Sequence, residues 1–273
     1  MKRLTEYEVI EFSAMGQSLS GYDLTGLNLS RAVLSDQNLS GTDLRGTNLR
    51  GANLSGCNLS ESQLAQANAS EANLRQANLT GCDFSDAHLI QARFFGANLS
   101  NSDFTGANLS GAFMTGGLTL DNSCLVGVNF NGADISNASL RNADLTVAQM
   151  RRVNLSHSDL SGAQLNGASI KSCTIIGANL VGAKMTEVIL DSSNLKNARL
   201  DNSDFSKSSL KRCNLEGSSC QMAILKGCDL SHTNFQGADL TLADLTGSDM
   251  TGCLLLGAKT SWADFTETCF DTT

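Results

Sequence analysis

The side chains best equipped for chemistry in this 273-residue chain are nine cysteines, three histidines and a long series of aspartates and serines. A catalytic nucleophile needs a base beside it, and a metal needs His, Cys, Asp or Glu at close, defined spacing. Neither arrangement is recognisable. His88, His157 and His232 stand dozens of residues apart, and there is no CxxC pair, Cys/His cluster, P-loop or Ser/His/Asp series. The expectation is therefore no catalytic residue, no cofactor, no metal and no enzyme. The aspartates do show an order. Asp23, Asp43, Asp83 and Asp103, then Asp144, Asp204, Asp244 and Asp264, recur in multiples of twenty on either side of a one-residue shift. A row of carboxylates performs recognition rather than catalysis: it presents fixed negative charge to a partner.

Such a row has to be positioned by something that repeats. A large apolar residue falls at every fifth position from Leu19 through Leu24, Leu29 and Leu34 to Leu64, resumes after Ala69 at Leu74, and holds to Met114. The register slips by one residue across Gly116-Gly117 and then runs from Leu120 to Phe270. Five is neither a helical nor a simple strand period. The count is about 20 repeats followed by about 31, and only Ala69, Cys220 and Thr260 lack a large apolar centre. Around each centre the order is a small residue, Asn or Asp, Leu or Phe, then Ser, Thr or Arg and often Gly, as in Ala52-Asn53-Leu54-Ser55-Gly56.

The pattern resembles the pentapeptide-repeat family, A(D/N)LXX, over nearly everything after residue 17. The resemblance implies an all-β fold: a right-handed quadrilateral β-helix with four pentapeptides per coil, the centre and the small residue two before it facing inward. A narrow tube of this kind holds a Leu or Phe on each side only if the other inward residue is small. Near 13 coils spaced about 4.8 Å apart give a rod of roughly 60 Å. Cys57, Cys82, Cys173, Cys213, Cys228 and Cys253 fall in the small slot and Cys220 at a centre, so they read as packing residues, whereas Cys124 and Cys269 fall at outward positions.

The chain divides into an N-terminal capping helix (1–17), a first arm of the β-helix (18–115), the glycine slip (116–117) and a second arm (118–273). Thr5 followed by Glu8 makes a capping box, Leu4, Tyr7, Ile10 and Ala14 recur at helical spacing, and Gly16 suits a stop. A helix there covers an open first coil, whose edge would otherwise invite pairing, and Tyr22 is large enough to help plug it. Leu254, Leu256 and Trp262 are expected to form a homodimer end. Ile90, Phe95 and Phe113 occupy outward slots just before the slip, so a bulge there would expose a docking site.

With a formal charge of −8, an isoelectric point near 4.8 and only 17% charged residues, direct nucleic-acid binding is not expected. Glu6, Glu8 and Glu11 stand where a signal peptide needs an apolar run, and no stretch approaches a membrane span, so the expectation is a cytoplasmic protein. The partner is expected to be a protein. Asp fills 8 of 13 outward places on one stripe of the repeat, while Arg31, Arg50, Arg151, Arg152, Lys171, Lys211 and Arg212 follow the next. The stripes serve either recognition or solubility. Within the family, the Qnr and MfpA proteins resemble B-form DNA and bind DNA gyrase and topoisomerase IV. Loop-free members resembling the heterocyst regulator HetL imply a protein-binding scaffold instead. The scaffold is the leading expectation, and DNA mimicry toward gyrase or topoisomerase IV the alternative.

Overall fold

Backbone pairing explains how a five-residue period makes a structure. The protein, seen in a computed structural model, is described over residues 1–271. Thr272 and Thr273, the last residues of the expected second arm, lie outside the described residues. The chain forms two compact units, Met1–Asp134 and Ile135–Thr273. No helix among the described residues is long and apolar enough to cross a membrane.

In the first unit the outward residues before the centres, from Asp23 to Arg93, bridge in parallel the residue twenty positions on: Asp23 to Asp43, Asn28 to Asn48, Val33 to Asn53, Asn38 to Asn58. One coil is thus twenty residues with four apolar centres. Leu24 N donates to Asp43 O at 2.8 Å, and Asp43 N donates back to Tyr22 O at 3.0 Å. A turn then closes, as when Ala52 N donates to Leu49 O at 2.9 Å. Because a turn follows so soon, each expected strand is reduced to one bridged residue, and the fold is β-helix-like without extended strands among the described residues. The second unit repeats the scheme from Ser139–Asp159 to Asp249–Cys269.

At the slip the first unit keeps its pairing by lengthening the step: Asn98 bridges Thr119 and Phe113 bridges Asp134, an offset of 21. The extra residue is absorbed as a bulge by Gly116 and Gly117, whose φ values of 77° and 78° few side chains tolerate in succession. Leu118 follows in a slot that mostly takes Ala, Ser, Thr or Cys, yet it is fully buried.

The centres form the core. In the first unit Phe84 and Phe104, one coil apart, stack with ring centroids 4.8 Å apart and planes 8° from parallel. The small slots show why a polar residue is tolerated inside. Ser62 Oγ donates to Leu39 O at 2.7 Å, Cys57 Sγ to Leu34 O at 2.8 Å and Cys82 Sγ to Leu59 O at 2.9 Å. In the second unit Ser208 does the same to Met185 O at 2.7 Å and Cys213 to Leu190 O at 3.2 Å. At Leu34, Leu39, Leu59 and Leu190 the acceptor carbonyl uses one lone pair for the turn N–H and the other for this hydroxyl or thiol, whereas beside Met185 the turn N–H of Val188 goes to Ser208 Oγ at 3.1 Å.

The helix α1 (Glu6–Ala14) begins at the expected box, with Glu8 N donating to Thr5 Oγ1 at 3.3 Å and Thr5 N donating to Glu8 Oε2 at 2.7 Å. Its inward face differs from the expected stripe: Tyr7 and Ile10 are exposed, whereas Val9 is fully buried. The coil imposes this. Arg3 already bridges Asp23 and Leu4 is buried, so α1 is threaded between two rungs of the ladder and Val9 falls on the five-residue register of the centres. Glu6 Oε1 accepts from Asn28 N at 2.7 Å, the N–H that in later coils bonds to the coil before. Phe12 meets Tyr22 edge-on at 5.9 Å.

Two predictions follow from this packing. Burial raises the thiols of Cys57 and Cys173 to about 11 and those of Cys82, Cys213, Cys220 and Cys228 to about 12, whereas an unfolded thiol ionises near 8.5. Stability is therefore full below that pH and is lost as pH rises toward 11 to 12, by up to about 1.4 kcal/mol per pH unit for each buried thiol. The urea midpoint should drop between pH 8 and pH 10, and drop less in Cys82→Ser/Cys213→Ser, because serine makes the same bond in equivalent slots. Separately, Val147 is a β-branched residue held at φ 52°, a conformation costing about 1–2 kcal/mol. Val147→Asn should raise the thermal midpoint with an unchanged circular dichroism spectrum.

Candidate partner-binding surface

Every aspartate of the expected row occupies the bridged, outward position. In the first unit the column runs Arg3, Asp23, Asp43, Gln63, Asp83, Asp103, Cys124, each residue bridged to the next. In the second unit it runs Asp144, Gln164, Lys184, Asp204, Ile224, Asp244, Asp264. The carboxylates are oriented by their own turns. Oδ1 of Asp23 accepts from Thr25 N at 2.9 Å and Thr25 Oγ1 at 2.7 Å, and Asp103 does so from Thr105 at 2.8 and 2.6 Å. Asp83 accepts from Ser85, Asp144 from Thr146, Asp204 from Ser206, Asp244 from Thr246 and Asp264 from Thr266.

These bonds favour the charged form. The backbone N–H of Thr25, then its hydroxyl, hold the Asp23 carboxyl below the usual range, and the hydroxyl and N–H of Thr266 do the same for Asp264. Asp43 is lowered most by the Arg45 side chain, which donates Nε to Oδ1 at 2.9 Å and Nη2 to Oδ2 at 2.6 Å, so its charge is compensated locally.

Asn on the other columns makes the same turn bond and one more. Asn48 Nδ2 donates to Asn28 Oδ1 at 3.0 Å, Asn73 to Asn53 at 2.9 Å and Asn78 to Asn58 at 3.1 Å; in the second unit Asn234 donates to Asn214 at 3.2 Å. The amide carries both donor and acceptor, so stacked asparagines bond coil to coil. Ionised carboxylates only accept. Asp stacked on Asp forfeits that bond and repels, as the influence of Asp43 on Asp23 registers. The acid columns thus give up a stabilising interaction that the same fold uses on its other sides.

The other expected residues divide. Phe95 and Phe113, 41% and 54% exposed, line one groove with Arg75, Arg93 and Thr115, whereas Ile90 lies on the preceding side of the coil, outside it. Leu254, Leu256 and Trp262 are all exposed, but Leu254 and Leu256 flank one centre and Trp262 stands at the turn after the next. Trp262 is in line with two residues the sequence reading missed, Met222 and Leu242, which are half exposed and share its positive φ (61°, 55° and 62°). A bulky residue at the turn position every twenty residues was the available signal. Of the basic residues, Arg50 pairs with Glu71 at 2.8 Å and Lys211 with Asp229 at 2.8 Å. Among the described residues no three of His, Cys, Asp and Glu converge as a metal would require.

Comparison with known proteins places these features in a family. The model described as pentapeptide repeats (8 copies) matches successive spans from 18–56 to 233–271. Among solved structures the chain is similar to trypsin-treated QnrB1, a plasmid-mediated fluoroquinolone resistance protein. The identity is 19% over 72% of this chain and 91% of that one, with a TM-score of 0.54, a likeness of fold. It is also similar to HetL, a pentapeptide repeat protein involved in heterocyst differentiation regulation from the cyanobacterium Nostoc sp. strain PCC 7120, at 25% identity over 97% and 98% of the two chains and a TM-score of 0.33. No curated protein matches.

The difference between acid and amide columns is measurable. Asp83→Asn/Asp103→Asn should melt higher than the native protein at low salt, since repulsion is removed and an amide bond between coils is gained. The gap should narrow in about 1 M salt, where charges more than about 3 Å apart are screened. A lower melting temperature would show that the carboxylates are there for the fold.

Proposed function

The chain belongs to the pentapeptide-repeat family, and on that premise we propose that it is a non-enzymatic scaffold whose aspartate columns bind a protein partner. The β-helix is taken to be right-handed and quadrilateral, one pentapeptide to a side. The observation that carries this reading is that the acid columns forgo the amide ladder used elsewhere. A fold needing only solubility could scatter its charge; here carboxylates are concentrated at bridged positions and oriented by their turns. The partner is then a protein with a basic surface whose charges meet carboxylates at one or two coil spacings, about 5 to 10 Å.

A second reading is favoured by the same columns. Carboxylates recurring along a coil axis offer negative charge to a groove that otherwise accepts DNA, and the family resemblance points to DNA gyrase and topoisomerase IV as owners of such a groove. Arg45, by compensating Asp43, and Lys184, by interrupting the second-unit column, weigh on the side of the scaffold.

One pair of assays separates the readings. Gyrase supercoiling, with and without ciprofloxacin, is titrated with the protein; no effect at micromolar concentration removes the mimicry reading. For the scaffold, cross-linking capture should recover a basic partner with the native protein. Capture should be lost with Asp23→Asn/Asp43→Asn/Asp83→Asn/Asp103→Asn, which keeps the fold and removes the charge. Equal recovery by both proteins would overturn the role of the acid column.

A further inference from the structure

The acid columns leave unexplained the one place where the first unit gathers cations and aromatic rings on its surface. Arg75, Arg93, Phe95, Phe113 and Thr115 line a groove of about 310 Å³ just before the glycine bulge. Its geometry follows from the coil. Arg93 bridges Phe113 in the next coil, so guanidinium and ring leave the same face one step apart. Phe95 projects from Arg93's own side, two residues on. Two groups hold its ring. The Arg75 guanidinium lies over it, 4.9 Å from the centroid. On the other side is Gly116, where an added methyl would come within 2.4 Å of the ring. The bulge thus contributes a shelf without a side chain, and the ring is seated on it while remaining 41% exposed.

The charges of this groove are uncompensated. Arg45, Arg50, Lys196, Lys211 and Lys259 all have a carboxylate within ion-pair distance, but neither Arg75 nor Arg93 has one among the described residues. Asp134, the next rung beyond Phe113 in the Arg93 column, lies on the side away from Arg93 and is engaged in an interaction of its own. Among the described residues Arg31, Lys171 and Arg199 have no ion pair either; what distinguishes this groove, in a chain of net charge −8, is that two such guanidiniums flank a pre-seated aromatic ring and a half-exposed one. Guanidinium forks match carboxylates, and the rings match an apolar side chain.

We propose that this groove binds an acidic peptide segment of a partner protein, with carboxylates on Arg75 and Arg93 and an adjacent aromatic or aliphatic side chain between Phe95 and Phe113. A polynucleotide also suits arginine and aromatic rings, but its continuous charge would run past the two guanidiniums over a chain of net charge −8, whereas a short segment confines its charge to the groove. The inference rests on the scaffold reading and gives that scaffold a second, oppositely charged address.

The test uses the full chain and a short fluorescein-labelled peptide alternating Glu with Phe and Leu, read by fluorescence anisotropy at low salt. The same peptide with Gln for Glu, and an oligothymidylate of similar length, are the controls. The acidic peptide should bind at least about tenfold more tightly than its Gln counterpart. Binding should weaken by roughly tenfold or more in Arg75→Gln/Arg93→Gln and in Phe113→Ser, and should be unchanged in Ile90→Ser, which lies outside the groove. Equal binding of the two peptides, indifference to the Arg75→Gln/Arg93→Gln change, or tighter binding of the oligothymidylate would each overturn the proposal. Far-UV circular dichroism of each variant checks that these surface changes leave the coil intact, and Ile90→Ser gives the reference for binding by folded protein. The scaffold reading is judged separately, by capture through the acid column, so failure of the peptide leaves that result standing.

Discussion

In each unit a residue is held over the residue one coil earlier by backbone hydrogen bonds made at a fixed offset, twenty positions or, across the bulge, twenty-one. Every side chain therefore meets a neighbour from its own column, and the properties of the protein follow from how each residue type tolerates that company. Leucine over leucine and Phe84 over Phe104 bury area in proportion to the number of coils. Asparagine over asparagine converts a surface position into an amide ladder. Aspartate over aspartate does neither, which is why the acid columns stand out energetically as well as chemically.

The same stacking leaves little freedom to the backbone. One carbonyl per side serves its own turn and, at many slots that hold Ser, Thr or Cys, also the hydroxyl or thiol of the next coil, whereas Ser158, Ser203 and Ser218 donate to the carbonyl of their own turn, at Leu155, Leu200 and Leu215; either way these residues pack without an unsatisfied polar group. Ser248 Oγ is the exception among the described residues. Where α1 interrupts the ladder, Glu6 supplies the missing acceptor to Asn28, so the helix is bonded into the coil as well as packed on it. Turns demand positive φ at their third position. Arg31, Val147 and Leu242 adopt it at 60°, 52° and 62°, each held by a bond from its N–H to the next coil, at Arg50 O, Asn166 O and Ser261 O.

The glycine bulge shows how one inserted residue alters a surface without altering the fold. Pairing survives through the change of step, but the backbone at Gly116 approaches the previous coil closely enough for the Phe95 ring to rest on it. Together with Arg75 and Arg93 this makes a basic, aromatic groove on a protein whose other organised surface is acidic. On the proposed reading, a scaffold with two addresses of opposite sign would discriminate partners by charge as well as by shape.

The five-residue period, the inward centres, the position of the slip and the Thr5–Glu8 cap were all legible in the amino-acid order, because each depends only on residues close in sequence or on a strict repeat. The column of aspartates was legible for the same reason, once twenty was taken as the coil. What only the tertiary structure decided was which surface residues share a site and which bonds each makes. Periodicity places Ile90, Phe95 and Phe113 near the slip alike. The coil sends Ile90 to another side and sets Phe95 between Arg75 and Gly116. Helical spacing offers Tyr7 and Ile10 as the buried face of α1, yet the register of the centres selects Val9. A repeat fixes neighbours along a column by counting; contacts across a corner depend on the path of the chain, and that exists only in three dimensions.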